Sequence, residues 1–423
     1  MPKRIKKQLA ESLPLVAIEL GSNSIRAMAA EKVGTDMLHV LGYEESHQHR
    51  CVDRGIVVQT SDAGYMINSV LKLLANRINV EELPAAFVLL GGASMQVVPV
   101  QSKRDFIRKH DITNSVLDSM EEECKKKIED RYPGVAVLDL IPAYFVVDGQ
   151  EQEDVPTSNQ RATLLESHYI AFVGKRELKD KVEAGFDRAS KSIEQTFIRP
   201  DALLSAFAFE DPSILNDGCA VLDMGAETTT LSIYKGTQYI TMKVIPEGGN
   251  KLTKALIEHN LSPEKAERMK VQFGTAAPEY VEKNFTMQVP LTNGDTWKTT
   301  SEEVAGIIKP ALDTIIDPLM NILNEYSTRI RCLYITGGAS MLAGMAEYLS
   351  DKTTIKVLYG SHAGLLDRKT PDEYCSPAYA SLVGALILGS DYRDAHPGKL
   401  ITPPKIRRMD QLEQKVFEFF TEQ

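Results

Sequence analysis

Two short stretches of this 423-residue chain carry, at matching spacing, the residue types that phosphate chemistry needs. In the first, an apolar run ends in Glu19, Gly21 stands two positions on, and Asn23 lies between the hydroxyls of Ser22 and Ser24. In the second, Asp223 closes an apolar run, Gly225 stands two positions on, and Glu227 precedes the hydroxyls of Thr228 and Thr229. A carboxylate at a strand end can hold the hydrated metal of a metal-nucleotide, a glycine lets backbone N–H groups approach phosphate oxygens, and hydroxyls add donors. Either copy alone reads most simply as a β-turn. The duplication reverses that: two facing copies would clamp one polyphosphate, with magnesium held through Glu19 and Asp223.

The elements around these residues repeat as well. Residues 15–43 and 219–245 each read as strand, hairpin, strand, with alternating and β-branched residues bounded by glycine turns at Gly34 and Gly236. Two similar halves are implied. A third element, residues 333–349, combines a short apolar strand, the pair Gly337 and Gly338 followed by Ala339, and then Met341, Leu342, Met345, Ala346 and Leu349 at helical spacing. Such a turn brings backbone close to a ligand and presents a helix N-terminus to it, suiting the α-phosphate or ribose side of a nucleotide. The same string, GGASM, occurs at 91–95, where the strand-like QVVPV follows, and is read as structural.

The order of these motifs is similar to that of the actin, heat-shock chaperone and sugar-kinase superfamily: ELGSNS (19–24), LDMGAETT (222–229), IPEGGN (245–250), EKAERMK (264–270) and ITGGAS (335–340). Within it the chain resembles the FtsA family of bacterial cell-division proteins. LDLIPAYFVVDGQ (138–150) and KVIPEGGNKLTKAL (243–256) carry that likeness, which spans about residues 13–392.

The resemblance implies an α/β, actin-like two-lobed ATPase fold around an ATP cleft, with an inserted small subdomain in the first lobe and a C-terminal amphipathic helix. The first-lobe core would comprise 13–84, 175–211 and 371–392, with the insertion at 85–174. The second-lobe core would comprise 212–249 and 311–370, with its small subdomain at 250–310. Gly248, Gly249 and Asn250 would join the phosphate site, and Glu267 and Lys270 would contact adenosine, although their spacing alone suggests a surface ion pair. Departures from the family pattern bear on mechanism. Ala226 and Glu227 stand where relatives carry glycines, Glu19 replaces a frequent Asp, and Ala255 replaces a frequent acidic residue. Each weakens phosphate or metal handling, which points to slow or absent ATP turnover.

Beyond a tether at 393–404, residues 405–423 place Met409, Leu412, Val416, Phe419 and Phe420 on one helical face. In FtsA-like proteins such a helix lies on the inner membrane surface. Four basic and four acidic residues balance in this segment, so attraction to anionic lipid is weak and docking on a protein surface is the alternative. Ile5, Leu9 and Leu13 in the basic N-terminal segment are a further candidate contact.

Bulk properties bound these readings. Hydrophobic residues at 43% and charged residues at 25% fit an ordinary globular chain, and a net charge of -10 argues against general affinity for nucleic acid. Five scattered cysteines without a C-x-x-C pair suggest neither a disulfide framework nor a zinc cluster, so a cytoplasmic, reducing setting is expected. Apolar runs near 137–147 and 380–389 are too short to span a bilayer. Catalytic motifs of P-loop, Rossmann, serine-hydrolase and zinc-protease type are absent, and no catalytic residue is assigned. The resemblance supplies the partners: the C-terminal peptide of the tubulin-like division protein FtsZ at the second lobe's small subdomain, further copies of the chain in filaments, and the cytoplasmic face of the inner membrane. The alternatives are a small-molecule kinase of the same superfamily and a pilus-assembly actin-like protein.

Overall fold

The computed structural model of the chain describes residues 14–35, 37–47, 51–157, 159–208, 213–235 and 238–396. Strands β1 (Leu15–Leu20), β2 (Ser24–Val33) and β3 (Met37–His47) form an antiparallel meander. A small hairpin of β4 (Val52–Asp53) and β5 (Ile56–Val57) and helix α1 (Thr60–Arg77) lead to β6 (Ala85–Leu90), which pairs in parallel with β1. Every position of β1 and β6 is buried, the near-continuous burial of strands covered on both faces.

The chain then leaves this sheet. β7 (Gln96–Asp111), α2 (Asn114–Arg131), β8 (Val135–Val147), β9 (Gln150–Gln152) and β10 (Arg161–Lys175) form a separate unit whose sheet runs β7-β10-β8-β9. Thr113 caps α2 by accepting from the Val116 N–H, and the helix buries Cys124 and Ile128 against Phe145, Tyr169 and Val173. An insertion starting at residue 85 is corrected here: Ala85–Leu90 is hydrogen-bonded to β1, so the separate sheet starts at Gln96. After α3 (Glu177–Arg188) the chain returns through β11 (Ser192–Ile198), parallel to β6, and α4 (Arg199–Ala208). The first sheet is thus β11-β6-β1-β2-β3.

Past α5 (Ser213–Asp217) the plan repeats with a second meander, β12 (Cys219–Met224), β13 (Thr229–Lys235) and β14 (Gln238–Ile245). Helices α6 (Gly249–Ile257) and α7 (Pro263–Phe273), the hairpin β15 (Thr286–Pro290) and β16 (Thr296–Thr300), and the long α8 (Ser301–Glu325) follow. A capping box between Thr300 and Glu303 starts α8, and its face of Val304, Ile308, Leu312, Ile315, Leu319 and Leu323 fills the second core. β17 (Cys332–Thr336) joins β12 in parallel, α9 (Met345–Ser350) leads to β18 (Lys356–Tyr359), and the third sheet runs β14-β13-β12-β17-β18. In both large sheets a buried central strand has an antiparallel meander on one side and parallel strands on the other, as the repeated sequence plan requires.

Helix α10 (Ala380–Ala395) closes the first lobe against α4 and β1. The crossing with α4 needs glycine, because a Cβ on Gly384 would lie 1.6 Å from the Ala202 carbonyl oxygen. A tether starting at residue 393 is also corrected: the helix continues to Ala395, and Arg393 holds Glu194 with two bonds of 2.5 and 3.0 Å. The remaining tether residues from 397, the expected amphipathic face of Met409, Leu412, Val416, Phe419 and Phe420, and the N-terminal Ile5, Leu9 and Leu13 lie outside the described residues. Among the described residues no helix is long and apolar enough to cross a membrane.

Candidate functional site

The two acid-to-glycine turns have the same local geometry. Glu19 and Asp223 are the penultimate residues of β1 and β12, only 5% and 6% exposed. After each, the glycine N–H donates to the carbonyl three residues on, Gly21 to Ser24 at 3.0 Å and Gly225 to Thr228 at 2.9 Å. The turns face one another across a cleft of about 330 Å³. Gly21, Ser22, Asn23 and Ser24 line it from one side, and Gly225, Glu227 and Thr228 from the other. Thr229 is buried behind its turn, its hydroxyl donating to the Glu247 carbonyl at 2.9 Å.

Helix α6 is docked onto the second turn rather than free. The Gly249 N–H donates to the Gly225 carbonyl at 3.0 Å, and the Asn250 N–H to the Ala226 carbonyl at 2.8 Å. Gly248 permits this approach, since a Cβ there would stand 2.4 Å from the Gly225 oxygen. Two first-turn donors of the helix are thereby used within the protein. Farther along, Lys270 reaches the Glu267 carboxylate at 2.8 Å, the Thr253 hydroxyl at 3.0 Å and the Gly249 carbonyl at 3.3 Å. Glu267 and Lys270 form the expected ion pair and also line the cleft, beside Leu252, Val271, Met341 and Leu342. This end offers an apolar wall with a few polar groups, the composition of a small-molecule pocket.

At the third turn, Gly337 has φ 84°, and a Cβ on it would stand 2.5 Å from both Asp223 Oδ1 and the Met224 carbonyl oxygen. Gly338 and Ala339 line the cleft. The helix expected directly after this turn is displaced: Gly338–Met341 is a 3-10 turn, and the α-helix starts only at Met345, after the left-handed Gly344. The GGASM copy at 91–95 is followed by the expected strand, Gln96–Asp111, and its Gly91 and Gly92 also form part of the cleft wall.

Charge in the cleft is arranged differently from expectation. Arg199, the first residue of α4, binds both acidic residues, Nη2 on Glu19 and Nη1 on Asp223 at 3.1 Å. Arg26, opposite Glu19 in the β1–β2 register, binds the second Glu19 oxygen, to which the Ser381 hydroxyl also donates at 3.2 Å. Both Glu19 oxygens and one Asp223 oxygen are therefore committed to guanidinium groups. A magnesium ion held through Glu19 and Asp223 does not fit this arrangement. Glu227 is likewise engaged, accepting from the Arg54 N–H at 3.1 Å across the cleft. Neither arginine was singled out from sequence. Arg26 was within reach of hairpin-register reasoning, whereas Arg199 meets its partners only through the tertiary fold.

The family model for Cell division protein FtsA matches residues 220–384. FtsA of Streptococcus pneumoniae is 25% identical over 342 residues, covering 78% of this chain and 70% of its own length. FtsA of Neisseria meningitidis is 23% identical over 385 residues (87% and 88%), and that of Escherichia coli K12 is 22% identical over 406 residues (89% and 90%). Among solved structures, the PilM-PilN type IV pilus biogenesis complex aligns with TM-score 0.66 at 17% identity, covering 89% of this chain and 98% of the other. MreB5 of Spiroplasma citri bound to ADP aligns with TM-score 0.50 at 11% identity, covering 92% and 98%. The chain is thus similar to FtsA proteins in sequence and actin-like in fold, as its motifs indicated.

Proposed function

We propose that this chain is an actin-like, ATP-binding cell-division protein that self-associates and tethers an FtsZ-type filament to the cytoplasmic face of the inner membrane. The observation that carries the reading is the pairing of two equivalent hairpin turns, at Gly21–Ser24 and Gly225–Thr228, with an apolar wall at Leu252, Val271, Met341 and Leu342. Phosphates fit the glycine and hydroxyl end, and a base and ribose fit the end near Glu267, Lys270, Gly338 and Ala339. The likeness to FtsA over 220–384 supports the division role rather than another role on the same fold.

Turnover is slow or absent on this reading. Both Glu19 oxygens and one oxygen each of Asp223 and Glu227 hold donors of the protein, which disfavours these acids as bases for activating a water. Hydrolysis of ATP at the roughly 1–100 s⁻¹ of kinases would contradict it and favour a phosphotransferase. The division role is tested by titrating a labelled FtsZ C-terminal peptide with and without ATP. Saturable binding is expected, and its absence in both conditions would favour the pilus-assembly or kinase readings.

A further inference from the structure

We propose that the cleft takes a nucleotide polyphosphate without a divalent cation, Arg199 giving Glu19 and Asp223 the positive charge that a metal ion would otherwise give them. The inference rests on the nucleotide reading above and concerns how that site balances its charge.

Glu19 and Asp223 are buried at facing strand ends, each directly before a turn that lines the cleft. Left unpaired, two carboxylates there would repel phosphate oxygens, and low exposure would strengthen the repulsion. A metal ion bound between carboxylates and phosphates is one remedy. This chain carries another: Arg199 spans both acids with separate guanidinium nitrogens, and Arg26 covers the remaining Glu19 oxygen. Two guanidinium groups against two carboxylates leave the cluster formally neutral. A cation entering between Glu19 and Asp223 would meet both arginines and would have to displace them from buried ion pairs, an exchange disfavoured by the uncompensated charge it leaves. Among the described residues no group of three or more His, Cys, Asp or Glu converges to offer a metal a different cage.

The same arrangement leaves a donor for the anion. Arg199 Nε is buried and has no hydrogen-bond partner among the described residues. It stands beside the cleft wall, 3.8 Å from where a Cβ on Gly91 would lie. A guanidinium has five N–H donors, and one left over after both carboxylates are served can take a phosphate oxygen. Together with the turn backbones and the Ser22 and Thr228 hydroxyls, it gives a polyphosphate partners that need no metal.

The test is an equilibrium titration of the full chain with a fluorescent ATP analogue, in excess EDTA and in excess magnesium. Manganese(II) binding without nucleotide is read in parallel by paramagnetic resonance. Affinities within about twofold in the two buffers and no manganese bound are expected for the natural chain. In Arg199→Gln, freed carboxylates should bind manganese, and ATP affinity should become dependent on magnesium by about tenfold or more. A loss of about tenfold or more in the natural chain on removing magnesium overturns the inference and leaves the nucleotide reading standing. No binding in either buffer overturns both. The natural chain alone decides, so a variant that does not fold does not remove the test.

Discussion

Asn23 and Asn250 exchange side-chain hydrogen bonds of 3.1 and 2.9 Å across the cleft, so that the first hairpin turn and the start of α6 are latched to each other. A neutral pair on an exposed rim contributes about 0.5–1.5 kcal/mol per bond. Asn250→Ala, which removes both bonds, should therefore cost at most about 1–3 kcal/mol of stability while opening the cleft. Hydrogen exchange is the measurement: protection at residues 21–24 and 225–229 should fall, and unaltered protection would mean that the latch holds nothing.

The third turn offers a paired test. Gly337→Ala places a Cβ at positive φ, 2.5 Å from Asp223 Oδ1 and the Met224 oxygen, whereas nothing lies within 4 Å of a Cβ on Gly338. We expect Gly337→Ala to cost about 1–3 kcal/mol and to weaken ATP binding, with Gly338→Ala within about 0.5 kcal/mol of the natural chain. Equal unfolding midpoints in urea would contradict the close approach.

Val271 is 72% exposed at the cleft wall, an apolar side chain that a bound base would cover. If a base stacks there, Val271→Ala removes about 1–2 kcal/mol of burial and weakens ATP about 5–30-fold at unchanged unfolding temperature. Calorimetric titration of ATP against both proteins reads this directly. Identical affinities would place the base elsewhere.

A pH effect follows from Asp201 on α4. Desolvation, with the Asp139 carboxylate adding to it, pushes the Asp201 carboxyl up from 3.8 to about 8. The folded state then holds a proton that the unfolded state releases, so this group's contribution is complete below about pH 3.8 and declines as pH rises towards 8. Asp201→Asn should flatten that part of the stability curve and raise the unfolding temperature more at pH 8 than at pH 5. A parallel offset at both pH values would show that Asp201 titrates normally.

The local parts of this site were legible in sequence, and the long-range parts were not. Acid, glycine and hydroxyl spacings report a turn within a few residues, so Glu19–Ser24 and Asp223–Thr229 were identified as strand-end turns and are found as such. The family resemblance also put Asn250 in one site with Asn23, but said nothing of their bonding to each other. The role of Arg199 is a tertiary fact: its register is set by β11 and α4, while its partners sit on β1 and β12. The strand after Gly91 and Gly92 was legible locally, whereas their place on the cleft wall follows from β6 ending at the cleft.

The tethering role is tested most directly by reconstitution on a supported bilayer of inner-membrane lipids. Fluorescent FtsZ is applied with ATP and either the full chain, a form ending at Pro404, or neither. The account predicts FtsZ on the bilayer with the full chain alone. FtsZ left in solution with the full chain present, or recruited equally by the shortened form, would contradict it.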